Sequence, residues 1–92
     1  MTKRTLFALG QVVSTPNALR FAEAEYIDLL ALLVRHQSGD WGDVSEEDRE
    51  SNEEALLMPL RIMSSYKFSN DKIWIITEAD RSVTTILLPS DY

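Results

Sequence analysis

Two apolar, β-branched runs lie close together near the end of the chain, within residues 72–88. A short polar joint, Glu78 to Arg81, separates them. β-branched side chains favour pleated strands, and two such runs with a few turn-forming residues between them are typical of a β-hairpin. The stretch therefore predicts a hairpin at the centre of a sheet, and Pro89 is expected to end its second strand.

Two further segments have the pattern of strands. Residues 61–68 alternate between two sets of side chains, which is the period of a strand, and the polar residues 69–71 are a turn before the hairpin. Leu6 to Val13 is also largely apolar, and Gly10 within it indicates a bulge or bend. The chain therefore has three or four strands.

The residues between these strands have the pattern of helices. Thr15 followed by Pro16 is a typical helix start, and apolar residues then recur at steps of three and four. Asp28 is a candidate N-cap inside this region, so residues 16–37 are either one helix or two with a kink. Ser45 begins a further helix with acids in its first turn, and its thin apolar stripe predicts a surface position.

The element order β-α(α)-α-β-β-β predicts a single α+β domain over residues 1–92. Three consecutive strands joined by short turns predict an antiparallel sheet of three to four strands. Two to three helices are expected to pack on one face of that sheet.

Composition narrows the class of protein. The chain has 92 residues and no cysteine, which excludes disulfides and thiolate metal sites. Its longest apolar run, residues 29–34, is far shorter than a membrane span, and the run after the basic start is too short for a signal peptide. We expect a soluble, cytoplasmic protein with no membrane partner. A core this small makes a homodimer, formed at an exposed sheet edge, a further expectation.

His36 is the only histidine, and thus the only side chain with an ordinary pKa near neutrality. One interpretation is a cation at a helix end that also packs on Trp41. The other is a general acid or base facing the sheet, where Arg81, Ser82 and Thr84 would bind a phosphate or an oxyanion. The second interpretation describes a small metal-independent ribonuclease or a nucleotide-binding domain. Outside that alternative, a net charge of −6 opposes binding to nucleic acid.

Eight of the fifteen acidic residues lie between Asp40 and Glu54, with Arg49 the only opposing charge there. Such a surface can bind a basic protein groove, because carboxylates replace phosphates electrostatically, or it can serve solubility alone. The candidate partner-binding residues are acids in this segment and the tryptophan of its glycine-flanked loop: Asp40, Trp41, Asp43, Glu46, Glu47 and Glu50. Trp41 is alternatively an anchor that pins the loop to the core. The acids lack a regular ligand spacing, so we predict no metal and no cofactor.

Several motifs are distributed from Leu6 to Tyr92. They are Leu9-Gly-Gln-Val-Val13, Thr15-Pro16, Arg35-His36, Gly39-Asp-Trp-Gly-Asp43, Glu47-Asp48, Asn52, Ala55-Leu56 and Trp74 to Pro89. These motifs resemble a family of small bacterial proteins borne on plasmids and other mobile elements. The resemblance implies an origin in a mobile element and a self-contained domain, but no particular activity. A weaker similarity, in element order and residue types alone, is to the small ribonuclease fold of barnase- and colicin-type toxins.

The sequence thus predicts a noncatalytic accessory or interaction protein of a plasmid or another mobile element. Its acidic surface would act on a host or defence protein. The alternative is the ribonuclease-like or nucleotide-binding domain that uses His36 and Arg81.

Overall fold

The computed structural model describes residues 4–92, and Lys3 of the basic start lies outside them. The elements follow in the order β1 (Gln11–Ser14), α1 (Pro16–Ala24), α2 (Leu29–Gln37), α3 (Glu46–Ala55), β2 (Ile62–Lys67), β3 (Lys72–Thr77) and β4 (Val83–Leu87). A short 3-10 helix, Pro89–Asp91, follows β4. The α+β fold class and the order of elements are confirmed.

The four strands form one sheet in the order β1-β4-β3-β2. β2, β3 and β4 are antiparallel neighbours, with Ile75 of β3 opposite both Ser64 of β2 and Ile86 of β4. β1 pairs with β4 in parallel, so the sheet is mixed rather than wholly antiparallel. The three helices lie between β1 and β2 in the chain. So long a connection has no hairpin turn, so the sequence does not indicate whether β1 is parallel or antiparallel to its neighbour.

The first strand is shorter than its apolar pattern predicts, because the chain bends at Gly10. Gly10 has a φ of 65°, and a Cβ there would collide with the backbone of Arg81 and Ser82, just before β4. Residues 4–9, the described part before the bend, do not join the sheet. Instead, the Leu6 N–H donates to the carbonyl of Gln37 at the end of α2, at 2.9 Å.

Residues 16–37 form two helices, which resolves the choice that the sequence left open. Thr15 Oγ1 accepts a hydrogen bond from the Ala18 N–H at 3.1 Å and caps α1, as its position before Pro16 predicts. Asp28 Oδ1 accepts from the Leu30 N–H at 3.0 Å and caps α2. The internal Asp28 cap therefore starts a second helix.

Tyr26 ends α1 in a conformation that normally belongs to glycine. The Ile27 N–H donates to the Ala22 carbonyl at 2.9 Å, and the Tyr26 N–H donates to the Glu23 carbonyl at 3.4 Å. These two bonds are the Schellman pattern, which needs a left-handed residue directly after the C-cap. Tyr26 is that residue, with a φ of 55°. An L residue with a Cβ pays roughly 1 kcal/mol for this backbone conformation.

One face of the sheet packs against α1 and α2. The buried core here consists of helical and strand residues that face each other: Ala18, Leu32, Leu33, Tyr66, Ile73, Ile75, Ile86 and Leu88. A smaller cluster, Trp41, Ala55 and Ile62, joins α3 to the start of β2. The helices thus cover one side of the sheet and place the end of α2 directly over its centre.

The outer edge of β2 is closed by side chains and by a loop. The Asn52 amide of α3 donates to the Met63 carbonyl at 2.7 Å and accepts from the Met63 N–H at 3.1 Å. Ser65 forms backbone bonds with Trp41 and Asp43, and Asp43 Oδ2 also accepts from the Lys67 N–H. These contacts occupy the edge that an added strand would need. Of the two outer strands described, β1 is therefore the one left for the expected sheet-edge homodimer, which stays a prediction.

Replacement of Tyr26 by glycine should stabilise the protein. The Tyr26→Gly variant removes the cost of a left-handed L residue, so we expect its free energy of unfolding to rise by about 1 kcal/mol. Urea denaturation of the wild type and of the variant measures the difference. Tyr26→Ala is the matched control, because alanine removes the ring but keeps the Cβ, and it should gain little. Equal stability of the glycine and alanine variants would contradict the assignment of strain to the backbone.

Candidate functional site

The only histidine lies in a buried chain of hydrogen bonds that we call the His36 network. Ser64 Oγ lies 2.6 Å from His36 Nδ1, and Thr77 Oγ1 lies 2.9 Å from Nε2. Thr77 Oγ1 is 2.8 Å from Thr84 Oγ1, whose hydroxyl donates to the Leu9 carbonyl at 2.7 Å. His36, Ser64, Thr77 and Thr84 are all buried. The network thus ties the last turn of α2 to three strands and to the residues before β1.

The proton positions in the His36 network follow from its last bond. Thr84 donates to the Leu9 carbonyl, so it must accept from Thr77. Thr77 has then used its own hydrogen and must accept from Nε2–H of His36, which leaves Nδ1 to accept from Ser64. This order satisfies every member with a neutral imidazole. Among residues 4–92, no buried polar side-chain atom lacks a partner.

His36 is neutral at pH 7, which corrects the prediction of a cation at the end of α2. Its side chain is 0% exposed, and burial lowers its pKa to about 4. A helix C-terminus favours a cation by about 2 kcal/mol at most, whereas this pKa shift corresponds to about 3 kcal/mol in favour of the neutral form. The predicted packing on Trp41 is confirmed, with ring centroids 6.0 Å apart.

Arg81 binds backbone carbonyls. Its guanidinium donates to the carbonyl of Ala55 at the end of α3, at 2.6 Å, and to that of Leu60 at 2.7 Å. Two more bonds join it to carbonyls of its own hairpin joint, those of Glu78 and Ala79. Arg81 therefore fixes the β3–β4 joint to the end of α3.

The four residues of the ribonuclease alternative do not meet in an open cleft. His36 and Arg81 both contact the Phe7 ring, with 5.2 Å between the His36 and Phe7 centroids and 5.8 Å from the Arg81 guanidinium to the Phe7 centroid. Thr84 belongs to the buried network, and the exposed Ser82 donates its hydroxyl to Asp80 Oδ1. Buried groups with satisfied hydrogen bonds cannot reach a substrate in this arrangement. The geometry does not favour the alternative, which stays a prediction.

Trp41 is the anchor of its loop. It is 3% exposed, and its indole Nε1–H donates to Glu53 Oε2 of α3 at 2.9 Å. Gly42 follows with a φ of 75°, and a Cβ there would collide with the Ser65 carbonyl oxygen. The alternative prediction, an exposed tryptophan edge for a partner, is therefore wrong, because the loop pairs with the outer edge of β2 and its indole faces the core.

The two loop acids have structural contacts. Asp40 forms an ion pair with Arg35 at 2.7 Å, and hydrogen bonding to Asp40 raises the pKa of Arg35. Asp43 Oδ2 accepts from the Lys67 N–H at 2.9 Å. Both contacts hold the loop in place, so the loop acids are less available to a partner than those of α3.

The acids of α3 form an exposed row. At 100° per residue, Glu46, Glu50 and Glu54 lie on the side of α3 opposite the buried Asn52 and Ala55. Glu47 is exposed beside this row. Glu46 is bound by Arg49, which lowers the pKa of the glutamate. We call Glu46, Glu47, Glu50 and Glu54 the α3 acidic face.

Three residues that matter here were missed from the sequence. Ser64 lies on the buried side of an alternating strand and Thr77 ends an apolar run, and polar residues at buried positions are a signal for internal hydrogen bonding. Leu57 continues the α3 acidic face beyond the last turn and is 89% exposed. A leucine directly after an acidic helix was the available signal.

Among residues 4–92, no group of three or more histidine and acidic side chains is arranged to hold a metal ion. No helix in the same part of the chain has the length and apolar character needed to cross a bilayer.

The buried neutral His36 makes stability depend on pH. The imidazole binds a proton more readily in the unfolded chain than in the folded one, so stabilisation is complete above pH 6.5 and falls as the pH drops towards 4. We expect the free energy of unfolding to be about 2 kcal/mol lower at pH 5 than at pH 7.5. Urea denaturation at both values measures this.

The control is His36→Asn, which removes the titrating group. The variant should be less stable than the wild type at pH 7.5 but nearly unchanged between the two pH values. A wild-type stability that does not change over this range would contradict the burial of a neutral histidine.

The comparisons with known proteins give no family for this chain. No protein-family model matches it, and the searches of curated proteins and of solved structures find no match either. The resemblance to small plasmid-borne proteins therefore stays a prediction.

Proposed function

We propose that this chain is a noncatalytic interaction protein that binds a basic partner protein through the α3 acidic face and Leu57. Following the resemblance, we propose that it belongs to a plasmid or another mobile element, acts in the cytoplasm, and has a host or defence protein as its partner. The observation that supports this proposal most is a row of exposed glutamates that continues into an almost fully exposed leucine.

The stability of α3 does not explain all of these acids. The helix dipole favours Glu46, Glu47 and Asp48 in the first turn, but it disfavours Glu53 and Glu54 in the last turn. Glu53 has its own role as the acceptor of the Trp41 indole. The helix dipole therefore stabilises neither Glu50 nor Glu54.

Two pairs in the row are like-charged at a spacing of four residues. Glu46 with Glu50, and Glu50 with Glu54, repel each other on one side of the helix, and Arg49 offsets part of the first repulsion by binding Glu46 and attracting Glu50. Each such pair destabilises a helix by a few tenths of a kcal/mol. A row of acids that destabilises its own helix supports a role in binding rather than in folding. A basic partner would supply the positive charge that relieves the repulsion.

Leu57 gives the acidic face an apolar end. The Leu57 N–H donates to the Glu54 carbonyl at 3.0 Å, so the helical path continues to this residue. Leu57 thus lies at the next position in line after Glu50 and Glu54. A single exposed leucine is unremarkable on a protein surface, but one that ends a charged row can supply the buried centre of an interface.

The chemistry-bearing side chains support a noncatalytic role. His36 and Thr84 are used in the buried network, and Arg81 binds carbonyls. General acid–base catalysis needs a group that can reach a substrate proton. Binding through the exposed glutamates of α3 needs no such group.

Charge reversal on α3 tests the proposal. We expect the triple variant Glu47→Lys, Glu50→Lys, Glu54→Lys to lose the basic proteins that the immobilised wild type captures from a bacterial lysate. Leu57→Ala should weaken the same capture, and its stability should lie within about 0.5 kcal/mol of the wild type because the side chain is exposed. Quantitative mass spectrometry compares the captured proteins.

Two controls separate this result from other causes. Reversal of three acids away from α3 that are fully or partly exposed, Glu25, Asp71 and Asp80, gives the same net charge and should retain capture. Capture that survives the α3 reversal, or that is lost equally in the control, would contradict the proposal. An RNA cleavage assay is run on the same samples, and cleavage that His36→Ala abolishes would favour the ribonuclease alternative instead.

A further inference from the structure

An open apolar groove lies where α1 and α2 meet. Its apolar lining comes from both helices and their joint, with Leu19 and Ala22 on α1, and Ile27, Leu29 and Leu30 after it. Leu30 is 73% exposed and Leu19 is 46% exposed. On α2, Val34 continues the surface one turn beyond Leu30 and is also exposed. This apolar surface shares no residue with the α3 acidic face.

Tyr26 stands at the rim of the groove in the left-handed conformation described above. Its side chain is 96% exposed, so the ring buries almost no surface in the isolated chain. The fold would be more stable with glycine at this position. An exposed aromatic ring on a strained backbone contributes nothing to the stability of the isolated domain. Tyrosine is, however, among the residues that contribute most to binding energy at protein interfaces.

The charged residues of the groove indicate the charge of the molecule that binds there. Of the described residues that line it, Glu23 and Asp28 are charged, and both are acidic. A symmetric contact with a second copy would use the same acidic patch on both copies. That arrangement brings like charges together, which opposes it. A basic occupant meets no such repulsion.

The walls of the groove indicate the form of the occupant. Both walls are helices, whose backbone groups are hydrogen-bonded within the helix, so no strand edge is available for an added strand. α1 and α2 have nine residues each and are therefore about 13 Å long. Exposed apolar residues at helical spacing between two helices are typical of a surface that binds the apolar side of a third helix.

We propose that this groove binds an amphipathic, basic helix of a partner protein. The apolar side of that helix packs on Leu19, Leu30 and the Tyr26 ring. Lysine or arginine residues beside its apolar stripe face Glu23 and Asp28. This site does not depend on the function proposed for α3, and the two surfaces can be tested apart.

The probes are two short synthetic helical peptides with the same leucine and alanine stripe. One carries lysine at the flanking positions and the other carries glutamate, and fluorescence anisotropy measures their binding at physiological salt. We expect the lysine peptide to bind and the glutamate peptide not to bind. Tyr26→Gly should weaken binding of the lysine peptide about tenfold, because it removes an aromatic contact with the peptide. Since this variant is expected to be more stable than the wild type, unfolding cannot explain the loss.

Matched charge variants locate the site. Glu23→Gln should weaken binding of the lysine peptide severalfold, whereas Asp80→Asn, which has the same net charge and belongs to neither proposed surface, should leave it unchanged. Equal effects of these two variants, full affinity in Tyr26→Gly, or binding of both peptides would overturn the proposal. Sedimentation of the chain alone tests the other occupant: a dimer that Tyr26→Gly dissociates would mean that a second copy fills the groove, and this too would overturn it.

Discussion

The His36 network is the interaction on which the position of the first half of the chain depends. A buried imidazole is costly unless both of its nitrogens are hydrogen-bonded, and Ser64 and Thr77 provide these two bonds from neighbouring strands. Since His36 is in the last turn of α2, its two bonds fix that helix over the centre of the sheet. The bond from Thr84 to the Leu9 carbonyl extends the same constraint to the residues before β1.

Two exposed features cost stability, and unlike the left-handed Arg81, which binds four carbonyls, they gain little within the fold. Tyr26 takes a left-handed conformation that glycine would adopt without strain, and the α3 acidic face repeats like charges at a spacing of four residues. By contrast, the interior satisfies its polar groups, and the β2 edge is closed by Asn52. The strain at Tyr26 and the repulsion between Glu50 and Glu54 lie at the surface, and this is the physical reason for proposing binding functions there rather than in the core.

The elements of the fold could be predicted from local patterns, because caps and strand periods are local properties. Thr15, Asp28 and Ser45 begin three helices as their side chains allow, and the two β-branched runs pair as a hairpin. The position of each functional group depends on contacts between distant residues, so it could not be predicted in the same way. His36 and Arg81 have the residue types of an active site, but tertiary packing buries the first and binds the second to carbonyls. No periodicity in the sequence contains that information.

The protonation of His36 tests the central claim most directly, namely that the one histidine is a neutral structural group. Because the chain has a single histidine, its imidazole nitrogens can be observed without ambiguity by long-range ¹H–¹⁵N NMR. The His36 network predicts a proton on Nε2, none on Nδ1, and no change between pH 7.5 and pH 5. A proton on Nδ1 at neutral pH, or half-protonation of the ring near pH 6.5, would show that His36 is not held in this network.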